Sequence, residues 1–133
     1  MNKVIISSAF VENNKGEYLL VKEIDSKKWK IPSETIKPAE TPEEGIKRGI
    51  KEETGYLIEI VKLLDHYFHS GSKGDILERF DYHAKVSRGK ESRKKDEISA
   101  LKWVSLDALE EMFGKLPNNH VYKHQINKLL EYI

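Results

Sequence analysis

Cysteine is absent from the sequence, which excludes disulfides, zinc–thiolate centres and cysteine nucleophiles. Long apolar runs are absent too. A membrane span needs about 20 consecutive apolar residues, and no such stretch occurs. Neither sign of charge is in excess: 23 basic and 22 acidic residues leave a net charge of +1. That balance argues against a protein that coats nucleic acid, while leaving room for a local basic patch. The opening residues, Met1-Asn2-Lys3-Val4-Ile5-Ile6, lack an apolar core with a small-residue cleavage site, so no leader is expected. What is present is an apolar share of 38% in 133 residues, too much for a disordered chain and near the size of one domain. The expectation is a soluble, cytoplasmic, single domain over residues 1–133.

No repeat or low-complexity tract divides the chain. Val4 to Val11 and Tyr18 to Val21 are apolar runs separated by Asn13-Asn14-Lys15-Gly16, which predicts a β-hairpin. Trp29 to Pro32 reads as a short strand or its end. Leu57 to Phe68 reads as a strand, Gly71 and Gly74 as a turn, and Ile76 to Val86 as a half-buried strand paired with the previous one. Ser87 to Glu97 reads as a charged loop and Leu101 to Val104 as a short strand. Ser105 begins a short helix ending at Gly114. Ile126, Leu129, Leu130 and Ile133 share one face of a C-terminal amphipathic helix. Mixed strands and helices of this kind imply α/β or α+β, with helices packed on a mixed sheet.

Residues 41–55 predict the best-defined helix. Thr41 is the N-cap, Pro42 the first helical residue, Glu44 the partner of a capping box, and Gly55 the stop. At about 100° per residue, Ile46 and Ile50 mark the buried stripe, Glu53 falls between them, and Glu52 lies beside them. A carboxylate on the core side is costly unless it is paired, protonated or bound to metal. Two adjacent acids there repel, and a divalent cation relieves the repulsion. Oxygen ligands suit Mg²⁺, Mn²⁺ or Ca²⁺ rather than zinc, and Mg²⁺ keeps its other positions for water and substrate phosphates. The same pattern also describes a solvated surface helix with glutamates near its end. Gly45 and Gly49, one turn apart, each cost roughly 1 kcal/mol relative to alanine inside a helix. Either something approaches the backbone there, or a side chain has been lost.

Residues 32–56 resemble the Nudix box of the MutT/Nudix hydrolases, whose pattern is G-x5-E-x7-R-E-U-x-E-E-x-G-U with U a bulky apolar residue. Glu40, Arg48, Ile50, Glu52, Glu53, Gly55 and Tyr56 fall in register. Trp29-Lys30-Ile31-Pro32 resembles the strand leading into the box, and Ile98 to Leu109 resembles the tryptophan strand and helix that follow it. The resemblance implies a Nudix-type α/β/α sandwich around a mixed β-sheet. It implies Mg²⁺- or Mn²⁺-dependent hydrolysis of a nucleoside diphosphate linked to another group. It makes Glu52 and Glu53 metal ligands and Arg48 the residue that orients them. It also asks for an acid in a later loop, as third ligand or base, for which Glu97 is the candidate and Asp96 the alternative. A solvated loop charge is the competing account of Glu97. Homodimers are common in the family, so a homodimer is among the assemblies the resemblance allows.

Two departures stand out. Glu34 replaces the opening glycine, after Ser33, and would be strained if the turn needs φ > 0. Gly49 replaces the glutamate after the arginine, which in the family is a metal ligand or general base. Glu34 could swing in as its substitute. Lys22 is a candidate phosphate contact, although a snorkelling surface lysine looks the same. Tyr67, Phe68, Phe80 and Tyr82 could stack a base, but alternation accounts for most of them as sheet packing. Three readings follow. One is a Nudix pyrophosphohydrolase with weakened or rearranged metal ligation. Another is a catalytically impaired nucleotide-binding or regulatory Nudix-fold protein. The third is an interaction module using the basic run Arg88, Lys90, Arg93, Lys94 and Lys95 on nucleic acid, against which a mobile solvated loop is the commoner account.

Overall fold

The computed structural model describes residues 3–133; Met1 and Asn2, where the leader reading begins, lie outside the described residues. Among the described residues, six strands and three helices follow in the order β1 (Lys3–Glu12), β2 (Tyr18–Glu23), β3 (Ser33–Thr35), α1 (Pro42–Thr54), β4 (Tyr56–Ser70), β5 (Ile76–Gly89), β6 (Ile98–Val104), α2 (Leu106–Gly114) and α3 (Val121–Tyr132). The sheet order is β4-β5-β1-β2-β6, with β3 paired to β1. β1 runs parallel to β5, and the other pairings are antiparallel.

Both faces of this sheet are covered, which explains why its central strands read as continuous apolar runs. Ala9, Val11, Leu19, Val21, Tyr82 and Ala84 pack with Ile46 and Ile50 of α1. Phe10, Tyr18 and Leu20 point the other way, onto Leu109 and Phe113 of α2 and Ile126 and Leu129 of α3. The result is the α/β/α sandwich. Two-sided cover also corrects the expectation for β5 as half-buried: Asp81, Tyr82, His83 and Ala84 are all buried.

The hairpin opens at once. Asn13 Oδ1 accepts from the Lys15 and Glu17 amides, and Gly16 takes φ 75°, so the turn forms as its residues predict. Yet β1 and β2 pair only at Glu12 and Tyr18 before diverging. Residues 30–35 fill the gap. Lys30 and Val21 exchange two backbone bonds of 2.9 and 3.0 Å, and Ala9 N–H donates to Pro32 O at 3.1 Å. The segment at Trp29 to Pro32 is therefore a lone bridge at Lys30, with the strand beginning at Ser33. No described non-glycine residue has positive φ, so the extended backbone at Ser33 and Glu34 is free of the strain anticipated there.

The α1 end signals are all realised. The Glu44 amide donates to Thr41 Oγ1 at 3.1 Å and the Thr41 amide donates to Glu44 Oε1 at 2.8 Å, while Gly55 closes the helix with φ 81°. Ile46 and Ile50 are fully buried, each contributing about 2 kcal/mol of transfer free energy, so the apolar stripe fixes the rotation of the helix. Removing the cap by Thr41→Ala is expected to cost about 1 kcal/mol, read by urea denaturation, and an unchanged midpoint would show that Glu44 alone holds the helix start.

Candidate active site

With Ile46 and Ile50 locked into the core, the last turn of α1 aims its acids in two directions. Glu53 turns inward, half-buried, between two cavities of about 320 and 390 Å³. Glu52 points outward with half of its side chain exposed, which corrects the picture of two acids held side by side against the core. Glu53 makes no side-chain hydrogen bond or salt bridge among the described residues. Burial pushes its pKa up to about 7, and Glu34 and Glu97 add to the rise, against a smaller opposing pull from Lys30.

Arg48 is held differently from expectation. Its Nε and Nη2 grip Glu40 at 2.6 and 2.9 Å, while Glu34 and Glu52 lie 3.5 and 3.6 Å from Nη1. The bidentate bond to Arg48, with a second bond from the Lys37 amide, lowers the Glu40 pKa to about 2. Arg48 thus ties the loop before α1 to the helix and stands between Glu34 and Glu52, without touching Glu53.

The larger cavity is lined by Glu23, Glu34 and Glu53 together with Lys30, Arg79 and Tyr122. The smaller is lined by Glu23, Asp25, Glu53, Asp96 and Glu97. Glu97 therefore reaches the same acidic end of the cleft, although its Oε1 accepts from Lys94 at 2.9 Å. Its loop is pinned to α1: the Ser92 amide donates to Thr54 O at 2.8 Å and the Lys94 amide to Glu53 O at 2.9 Å. Lys22 lines neither cavity; its ammonium lies 5.4 Å above the Trp29 ring, on the other face of the sheet from Glu23. Lys30, paired with Glu23, stands where Lys22 was expected. Glu23 was missed, although strand alternation puts it on the α1 side with Val21 and Leu19. Lys30 was seen only as part of the strand leading into the box, and Arg79 and Tyr122 carry no motif that sequence reading could have used.

The aromatics mostly serve packing. Phe80 and Tyr82 join the α1-side core, and Tyr67 meets His124 edge-on at 4.6 Å. In the basic run Lys94 is ion-paired with Glu97, and Arg93 keeps its charge while donating to Ser99 O.

The donor set is hard oxygen with a surplus of negative charge, as a divalent cation requires. No preassembled group of three metal-ligating side chains occurs among the described residues. Mg²⁺ nevertheless needs only one or two carboxylates when water and phosphate complete its shell, so Glu53 with a neighbouring acid fits it.

Beneath the opposite face, Asp81 is 1% exposed and accepts from Gln125 Nε2 at 3.0 Å. Burial raises its pKa, and the Gln125 bond and Arg79 charge offset that only in part. A raised folded-state pKa favours the protonated fold, so this contribution is lost as pH rises. The Tm of Asp81→Asn relative to wild type is expected to climb as pH rises above the ordinary aspartate range, from about pH 4 upward. A constant difference over those pH values would show that Asp81 keeps its ordinary pKa.

Fold and cleft together are those of an α/β/α domain with an acidic cleft at the end of α1. The chain belongs to the Nudix family, whose NUDIX domain matches residues 3–125. The MutT-like protein of Streptomyces ambofaciens is 28% identical over 116 residues, covering 87% of this chain and 72% of that protein. Nudix hydrolase 5 of Arabidopsis thaliana is 32% identical over 126 residues, covering 86% of this chain but only 41% of its own length. The crystal structure of a MutT protein from Methanosarcina mazei Go1 superposes with a TM-score of 0.78 at 21% identity, over 98% of this chain and 94% of that one. That of a UDP-X diphosphatase gives 0.75 at 22%, over 98% of this chain and 63% of that one. At such identities the structural likeness speaks to fold alone. Among the described residues, no helix is long and apolar enough to cross a membrane.

Proposed function

We propose that this chain is a divalent-metal-dependent hydrolase that cleaves a diphosphate linkage in a nucleoside diphosphate derivative, with metal ligation rearranged from the family pattern. The observation that carries this reading is Glu53: an inward acid with no cation paired to it among the described residues, lining one cleft with Lys30 and Arg79. The acids that line the cleft suit Mg²⁺ or Mn²⁺, and the cations that line it with them suit the phosphates. A third cavity of about 370 Å³, lined by Trp29, Met112, Phe113 and Leu116, shares Val121 and Tyr122 with the acidic one. An apolar, aromatic chamber beside a charged cleft supports a nucleoside attached to the diphosphate.

In this reading Glu53 holds the metal from within the cleft, Glu52 turns in from the exposed end of the same helical turn to join it, and Glu97 is the third ligand or base. The ion, when bound, neutralises phosphate charge and acidifies a water. Arg48 and Glu40 keep the helix end and the preceding loop in fixed relation. Lys30 and Arg79 hold the phosphates against the acids. Water adds its oxygen to one phosphorus, the bond from that phosphorus to the bridging oxygen breaks, and a carboxylate takes the proton.

The second reading, a nucleotide-binding protein without turnover, is favoured by Gly49, which removes a carboxylate from α1. A screen of phosphate or nucleotide release over nucleoside diphosphate compounds, with Mg²⁺ and with Mn²⁺, separates the two. Turnover that stops with EDTA and returns with metal is the expected result. Calorimetric binding of nucleotide with no product over hours would favour the second.

A further inference from the structure

The two departures from the Nudix pattern meet in space. A Cβ built on Gly49 would lie 2.4 Å from Glu34 Oε2, 2.7 Å from its Cγ and 2.9 Å from its Cδ. The Glu34 side chain therefore occupies the volume that a side chain at position 49 would enter. The pattern has glycine where this chain has Glu34, and glutamate where it has Gly49. The exchange is reciprocal: β3 carries the acid and the helix carries the gap.

Glu34 is also held in place. It sits in β3, in register with Ser7 of β1, and the neighbouring Ser33 and Ser8 hydroxyls lie 2.8 Å apart. Arg48 Nη1 is 3.5 Å from its Oε1. It lines the same cavity as Glu53 and Glu23, with its carboxylate lying against α1 at Gly49 and Arg48 and most of the side chain buried.

We infer that Glu34 supplies, from β3, the metal-binding carboxylate that the Nudix pattern places at position 49. This rests on the proposed metal-dependent reading of the cleft. It explains how the box tolerates Gly49: any larger residue there would collide with the acid that replaced it. It also means that the missing glutamate cannot be restored alone. Gly49→Glu would set a second carboxylate against Glu34, whose Cγ and Cδ, not only its oxygens, are in the way.

The test is a substitution cycle on the full chain, read by Mn²⁺ binding through electron paramagnetic resonance and by Tm. Glu34→Gln keeps size and removes charge; it is expected to weaken Mn²⁺ binding by about tenfold or more without lowering Tm. Glu34→Gly and Gly49→Glu are each expected to bind Mn²⁺ as poorly. The double variant Glu34→Gly with Gly49→Glu, which restores the family arrangement, is expected to return within about threefold of wild type. If Glu34→Gln binds Mn²⁺ like wild type while Glu53→Gln does not, the role given to Glu34 is wrong and the metal reading stands. If wild type binds no Mn²⁺, or if Glu53→Gln makes no difference, both fall. A double variant no better than the singles, though folded by Tm, overturns the exchange.

Discussion

Glu53→Gln is expected to lower kcat/KM by about 10³-fold or more, the largest effect of any single conservative change in this chain. The substitution keeps the shape of the side chain and removes only its charge. In the cleft that charge is uncompensated by any direct partner, so it is available to a cation. A protein does not keep a half-buried, unpaired acid without cost. The cost appears in its pKa, raised to about 7 by burial first and by neighbouring acids second. The sign of the stability effect follows. With its folded-state pKa raised, Glu53 favours the fold only while protonated, and that contribution disappears as pH rises through about 7. In metal-free buffer above that pH, Glu53→Gln is therefore expected to be at least as stable as wild type while being inactive. A structural residue would behave in the opposite way, losing stability and activity together. Full turnover in the Gln variant would remove Glu53 from the chemistry.

The box helix was readable because several local rules agree there. Thr41, Pro42, Glu44 and Gly55 mark its ends, and Ile46 and Ile50 set its rotation, so the inward placement of Glu53 followed from the wheel alone. Glu52 was less readable. Its wheel position, beside the apolar sector, does not distinguish a cleft wall from solvent, and the structure leaves it half exposed. The cations opposite were not readable at all. Lys30 reaches the cleft because β1 and β2 part after one residue pair and let the following segment in, and nothing in the hairpin residues signals that parting. Arg79 arrives on β5, whose parallel pairing with β1 is a long-range event. The contact between Glu34 and Gly49 was visible only as two separate anomalies, one costly-looking loop acid and one costly helix glycine, until the fold brought them together.

The junction that carries the acids depends on a second close approach at a glycine, and Gly55→Ala is expected to cost roughly 3 kcal/mol, a fall in Tm of about 10 °C. Gly55 ends α1 at φ 81°, and a Cβ there would lie 2.3 Å from Lys90 O and 2.9 Å from Ser92 N. Backbone atoms cannot rotate away as a side chain can. The conformation alone costs an L-residue about 1 kcal/mol, and the collision adds the rest. Gly74 supplies the control, since it has φ 80° but no atom within 4 Å of where its Cβ would sit, so Gly74→Ala should show only the conformational cost of about 1 kcal/mol. Function should suffer beyond stability. Ser92 and Lys94 donate to the carbonyls of Thr54 and Glu53, so pushing Lys90 away loosens the segment that carries Asp96 and Glu97 to the cleft. Gly55→Ala is thus expected to reduce kcat/KM well below its Tm, where Gly74→Ala leaves it unchanged. Equal Tm losses for the two variants would mean that the close approach at Lys90 relaxes without cost.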